Sequence, residues 1–164
     1  MTKARRETNK AAAQGLRNIG DFSRVMGKVG WFETAHYPNG TPVALVAAVN
    51  EFGWPEHNIP PRLGMRTTAD ASRAAWAQTS KTVAQRVVKN GMTPKEAMEI
   101  IGLKAAGDVR NNIASVTQPP LKPATVEARL RGKKQGNVVS VTIAKPLVAT
   151  GELLNSLTNV VESK

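Results

Sequence analysis

Residues 84–100 read AQRVVKNGMTPKEAMEI, and the boundary inside them decides the fold. Thr93-Pro94-Lys95-Glu96 is a complete helix start. The threonine hydroxyl can accept from the glutamate N–H, the glutamate can reach back to the threonine N–H, and the proline sits where a helical N–H has no partner in any case. Just upstream, Asn90-Gly91 is a pair able to enter left-handed backbone and end a helix. One helix therefore stops and another starts within a few residues, which makes a helical hairpin. Downstream, Met98, Ile101, Ala105, Val109 and Ile113 recur at helical spacing until Pro119-Pro120 ends them. Upstream, Trp76, Val83 and Val87 form the facing stripe, with Arg73, Lys81 and Lys89 outside it. That helix is expected to open at Thr67-Thr68-Ala69-Asp70, a capping-box variant with an acid at the positive end of the helix dipole. Trp76 and Ile101 are expected to share one buried layer.

Away from the hairpin the period changes from helix to strand. Residues 26–33, MGKVGWFE, alternate as a first strand, 138–143, VVSVTI, are β-branched and alternating, and 157–161, LTNVV, read as a last strand. Asn39-Gly40 marks a turn, after which Thr41 is placed to cap, and Pro42 to open, a short helix over VALVAAVNEFG that stops at Gly53. Residues 125–131 can form another short helix, and Thr150 can cap one or two turns carrying Leu153, Leu154 and Leu157. Strands at both ends with helices between imply an α+β chain, a small antiparallel sheet packed against a long helical hairpin. Residues 1–23 show no core pattern and read as a basic N-terminal arm, mobile or ordered by a partner. Residues 24–164 read as a single domain.

Composition narrows the functional classes. The 164 residues contain no cysteine and two histidines, so thiolate chemistry, disulfides and cysteine-ligated metals are excluded and a transition-metal site is not expected. No cofactor is expected. The N-terminus lacks an apolar export segment and no run is long enough to span a bilayer, so the expected product is soluble and cytoplasmic. Lys and Arg number 23 against 12 Asp and Glu, a net charge of +11 that attracts polyanions or acidic protein surfaces. The dense patches are Lys3, Arg5, Arg6, Lys10 and Arg17, then Arg129, Arg131, Lys133 and Lys134. Neither patch is interleaved with aromatics, and no helix-turn-helix, zinc-finger or RNP pattern accompanies them. Gly27-Lys28-Val29-Gly30 has the form of a nucleotide clamp but leads into a strand rather than joining two helices. The nucleophile, zinc-protease and phosphate-loop motifs are missing. Glu51, Glu56 and His57 are the nearest thing to an acid/base set, and they lie in or beside a polar loop where histidine is usually a surface residue.

That loop, Asn50 to Thr68, reads NEFGWPEHNIPPRLGMRTT. Prolines stiffen it, so it loses little entropy on docking, and Trp54, Arg62 and Arg66 are residue types enriched at interface hot spots. With Phe52 and Met65 they make the candidate partner interface. The competing reading has Phe52 and Met65 plugging the core while Arg62 and Arg66 pair with local carboxylates or cap carbonyls. Neither Trp54 nor Arg62 lies on a core stripe, so Trp54→Ala and Arg62→Glu are expected to leave the monomer folded.

The order of these pieces resembles a family of small tailed-phage proteins, the virion-morphogenesis or tail-completion group. The resemblance rests on Glu51-Phe52-Gly53, on Pro60, Pro61, Arg62, Met65 and Arg66, and on Lys145-Pro146-Leu147 with Thr150-Gly151, Leu153, Asn155 and Ser156. The chain departs from the family pattern at Leu63 and Gly64, where a proline and an aromatic are usual. The resemblance implies a structural virion protein without chemistry of its own, a ring-forming subunit at the head–tail junction or top of the tail. The ring is expected to be hexameric, with tail-terminator and head-connector proteins as neighbours, a passing contact with genomic DNA and no membrane. The alternative from charge alone is a basic nucleic-acid-binding module.

Overall fold

The computed structural model describes residues 3–62, 64–134, 145–147 and 150–163. They form helix α1 (Lys3–Asp21), strand β1 (Val25–Gly30), helices α2 (Val43–Phe52), α3 (Met65–Asn90), α4 (Pro94–Ser115), α5 (Pro123–Lys134) and α6 (Glu152–Asn155), and strand β2 (Thr158–Ser163). The chain is α+β: β1 and β2 make a two-stranded antiparallel sheet, and the long α3–α4 hairpin packs on it. The strand expected at 138–143 lies outside the described residues.

By contact the chain divides into two compact units, Met1–Val29 with Ser72–Ala106 and Asn159–Lys164, and Gly30–Ala71 with Gly107–Thr158. In the first unit Met98 of α4 lies against Gly27 of β1, and Gly102 lies against Asn159 of β2. The two strands are tied across their exposed faces by Lys28 and Glu162 at 2.6 Å. Val83, Val87 and Ala97 form the buried cluster, with Phe22, Met92 and Ile101 packed against it. Ile101 therefore joins the core, whereas Trp76 is only half-buried and is not a member of that cluster. In the second unit the buried apolar side chains among the described residues are Val43, Ala47, Val109, Ile113, Leu147, Leu153 and Leu157, and α2 packs on α6.

The helix starts separate local from non-local capping. At α4 the box closes as the four residues dictate: the Thr93 N–H donates to Glu96 Oε2 at 2.8 Å, and the Glu96 N–H to Thr93 Oγ1 at 3.2 Å. At α2 the cap is Pro42, not Thr41, because the Thr41 N–H is held by Asn39 Oδ1 at 3.1 Å and the residue stays in the turn. At α3 the helix starts at Met65, upstream of the expected Thr67-Thr68-Ala69-Asp70 box. Thr68 is already inside the helix, its hydroxyl donating to the Gly64 carbonyl one turn back.

The stretch read as an arm forms helix α1. Among its described residues it docks through a buried asparagine and a closely packed glycine. Asn18 is buried, accepts from Gln14 at 2.8 Å and donates to the Met92 carbonyl at 3.3 Å. Gly15 meets the backbone of α3, where a Cβ would come within 2.6 Å of the Val88 carbonyl oxygen. Leu16 and Ile19 remain exposed. The Gly15→Ala variant is therefore expected to loosen α1, even though alanine favours an isolated helix by about 1 kcal/mol. Hydrogen exchange of the α1 amides should rise and the unfolding temperature should fall. A stabilised Gly15→Ala protein would show that α1 does not dock this way.

Candidate functional site

The loop following α2 is shaped by its two ends. Gly53 closes α2 with its N–H on the Val49 carbonyl at 2.8 Å and a φ of 78°. A Cβ there would meet Pro61 Cδ at 2.9 Å, so both the backbone angle and the packing require glycine. Beyond it, Trp54 and Ile59 exchange N–H···O bonds at 2.8 and 3.0 Å. They enclose a 3₁₀ turn over Pro55–His57 and a left-handed Asn58 with φ 55°. The prolines thus sit in a closed hairpin loop, anchored again by the Arg62 N–H on the Asn50 carbonyl at 2.6 Å.

Glu51 is the hinge of this site. Its carboxylate accepts from the N–H groups of Gly64 at 2.7 Å, Met65 at 3.0 Å and Arg66 at 3.0 Å, the unpaired donors at the start of α3. The Arg66 guanidinium closes on the same carboxylate through Nε at 3.1 Å and on the Glu51 carbonyl through Nη2 at 2.9 Å. A carboxylate at the end of one helix therefore caps the next, where charge and dipole act together. Burial alone would raise the Glu51 pKa, but the N–H donors of Arg66, Met65 and Gly64 and the Arg66 side chain outweigh it and hold the carboxyl below its ordinary range. That is opposite to what an acid/base catalyst at neutral pH needs. The remaining members of the notional catalytic set are engaged with Trp54: its indole N–H donates to Glu56 Oε2 at 3.4 Å, and its ring lies 3.8 Å from the His57 ring.

The five candidate interface residues divide into two kinds. Phe52 does not plug the core; it is 67% exposed, with the Arg66 guanidinium 4.8 Å from its ring centroid. Trp54 is exposed, and Met65 is half-buried. Trp31, Ala47, Ala48, Phe52 and Met65 line a shallow groove of about 320 Å³ along α2. Arg62 has gone the other way. It is 7% exposed and donates from Nε to the Pro119 carbonyl at 3.0 Å and from Nη2 to the Pro120 carbonyl at 3.3 Å. Arg62 is thus not the interface contact expected of it but caps carbonyls, as the competing reading had it: the loop returns it inward because the turn at Pro119-Pro120 leaves carbonyls without helical partners.

The same use of cations recurs through the second unit. Lys145 donates to the Ala114 carbonyl at the end of α4, and Arg129 donates to the carbonyls of Lys145 at 2.6 Å and Pro146 at 3.0 Å. Arg110 donates to the carbonyls of Leu154 at 3.1 Å and Leu157 at 2.6 Å, around the end of α6. Thr150 receives the Glu152 N–H at 3.3 Å, but the residue that caps α6 is Gly151 in left-handed backbone, so the threonine expected to cap holds the turn from one residue outside it. Comparison of the chain with protein families, with curated proteins and with solved structures finds no match.

Proposed function

We propose that the chain is a structural assembly subunit of a tailed-phage virion, a ring-forming neck or tail-completion protein that joins the tail to the head connector. Its contact with a neighbouring subunit is the exposed surface of Phe52, Trp54, Met65 and Arg66. The observation that carries this reading is the division of labour inside the motif segments. Glu51, Gly53, Arg62, Lys145 and Thr150 are spent on fixing the backbone, while Phe52 and Trp54 stand outside on the rigid frame so made. Two aromatic rings held at the surface by a cation and a closed loop suit a preorganised protein contact. The basic charge gives less support to a nucleic-acid-binding module, because Arg62, Arg110, Arg129 and Lys145 donate to the chain's own carbonyls.

Phe52→Asp and Trp54→Ala are expected to unfold within a few degrees of the parent and to lose ring assembly. Truncating an interface anchor costs about 2 kcal/mol, and a closed ring repeats that loss at every contact. Native mass measurement of the purified proteins, with electron microscopy of phage lysates complemented by each, reads the outcome. Normal assembly by both variants removes this surface from the interface. Salt-sensitive DNA binding as the main activity, without an oligomer, favours the nucleic-acid reading.

A further inference from the structure

Arg62 and Arg129 line one cleft of the second unit, a cavity of about 390 Å³. Lys122 stands at its edge, Ile59, Leu121 and Leu147 supply apolar wall, and no aspartate or glutamate is among its described lining residues. Glu152 does not line the cleft, although its charge reaches Tyr37, which does. The carbonyls that hold Arg62 orient its guanidinium but carry no charge to balance it, and they leave other N–H groups of its fork unused. Burial makes both guanidiniums less willing to hold their charge, and Arg129 is further disfavoured by the charge of Arg62. Both guanidiniums line the one cleft, their side-chain order already set by folding. An anion entering the cleft meets the remaining donors of Arg62, already ordered by the two carbonyls.

We propose that this cleft receives a carboxylate side chain from an extended acidic segment of a different protein, with apolar neighbours of that carboxylate resting on Ile59, Leu121 and Leu147. A duplex phosphate is a poor fit, because Arg62 is buried and cannot follow a convex backbone. A second copy of the chain is a poor donor, since 23 basic residues against 12 acidic ones bring like charge to the encounter. The site is chemically distinct from the Phe52–Trp54 surface, and its test leaves that surface untouched.

The full chain, isotope-labelled for NMR, is titrated with a capped peptide of alternating leucine and glutamate. Saturable shifts of the Arg62 and Arg129 side-chain Nε–H resonances are expected, with binding weakened about tenfold or more when the glutamates become glutamines. Thr125→Glu places a carboxylate on an exposed wall residue of the cleft. It is expected to weaken the peptide by a similar factor without lowering the unfolding temperature, so that the result does not depend on an arginine variant folding. Equal binding of the two peptides, no shift at millimolar peptide, or full peptide affinity in Thr125→Glu overturns the proposal. Saturation of the Arg62 resonance by inorganic phosphate or a short DNA duplex with no peptide response overturns it as well.

Discussion

Arg62→Glu is expected to leave little folded protein. The substitution removes the donors to the Pro119 and Pro120 carbonyls and puts a carboxylate in their place, oxygen against oxygen, at a position only 7% exposed. An uncompensated buried charge costs about 3–5 kcal/mol, a large part of the total stability of a small protein. The contrast with Trp54→Ala is decisive, since both residues sit in the same loop and both lack a place on a core stripe. Circular dichroism melts of the two purified proteins should show a cooperative transition for Trp54→Ala and a lost or strongly lowered one for Arg62→Glu. Arg62→Lys, which keeps the charge but loses the fork, should fall between them. A stable Arg62→Glu protein would mean that the arginine is not the staple of that turn.

Glu51→Ala is expected to destabilise by about 3 kcal/mol, the sum of a lost helix cap at about 1 kcal/mol and of buried N–H groups left without an acceptor at about 1–3 kcal/mol. That corresponds to roughly 6–12 °C in the unfolding temperature. The pH dependence has a definite sign. The folded carboxyl lies below its ordinary value of 4.5, so its contribution is complete above that value and is lost as the pH falls through the folded one. The parent protein should therefore exceed Glu51→Gln in stability at neutral pH and converge on it in acid. A gap between the two that stays constant down to the acid limb contradicts capping by the charged carboxylate. Glu96 is also held below the ordinary range by the Thr93 N–H and hydroxyl, so the acid limb of the parent contains a contribution that Glu51→Gln retains.

The amino acids around Thr93 decided their own structure because every partner in that box lies within three residues. The same is true of Gly53, of the Asn39-Gly40 turn and of the Thr150 turn, whose angles and bonds are local. Helix α1 was not legible as part of the core, because the contacts described for it are made by a glycine and an asparagine, which give no apolar signal. The cap of α3 was misplaced for a related reason. Its acceptor, Glu51, lies 13 residues upstream of Gly64, beyond the reach of any capping signature, so the nearer threonines carried the stronger local signal. The sequence by itself determined the α+β class and the hairpin, and singled out Phe52 and Trp54 as candidate contacts. Only the tertiary structure decided that Arg62 turns inward while Phe52 turns outward, because carbonyls left open at Pro119-Pro120 are supplied by a turn 57 residues away. A side chain's role is set by the hydrogen-bonding demand it meets after folding, and that demand is written in another part of the chain.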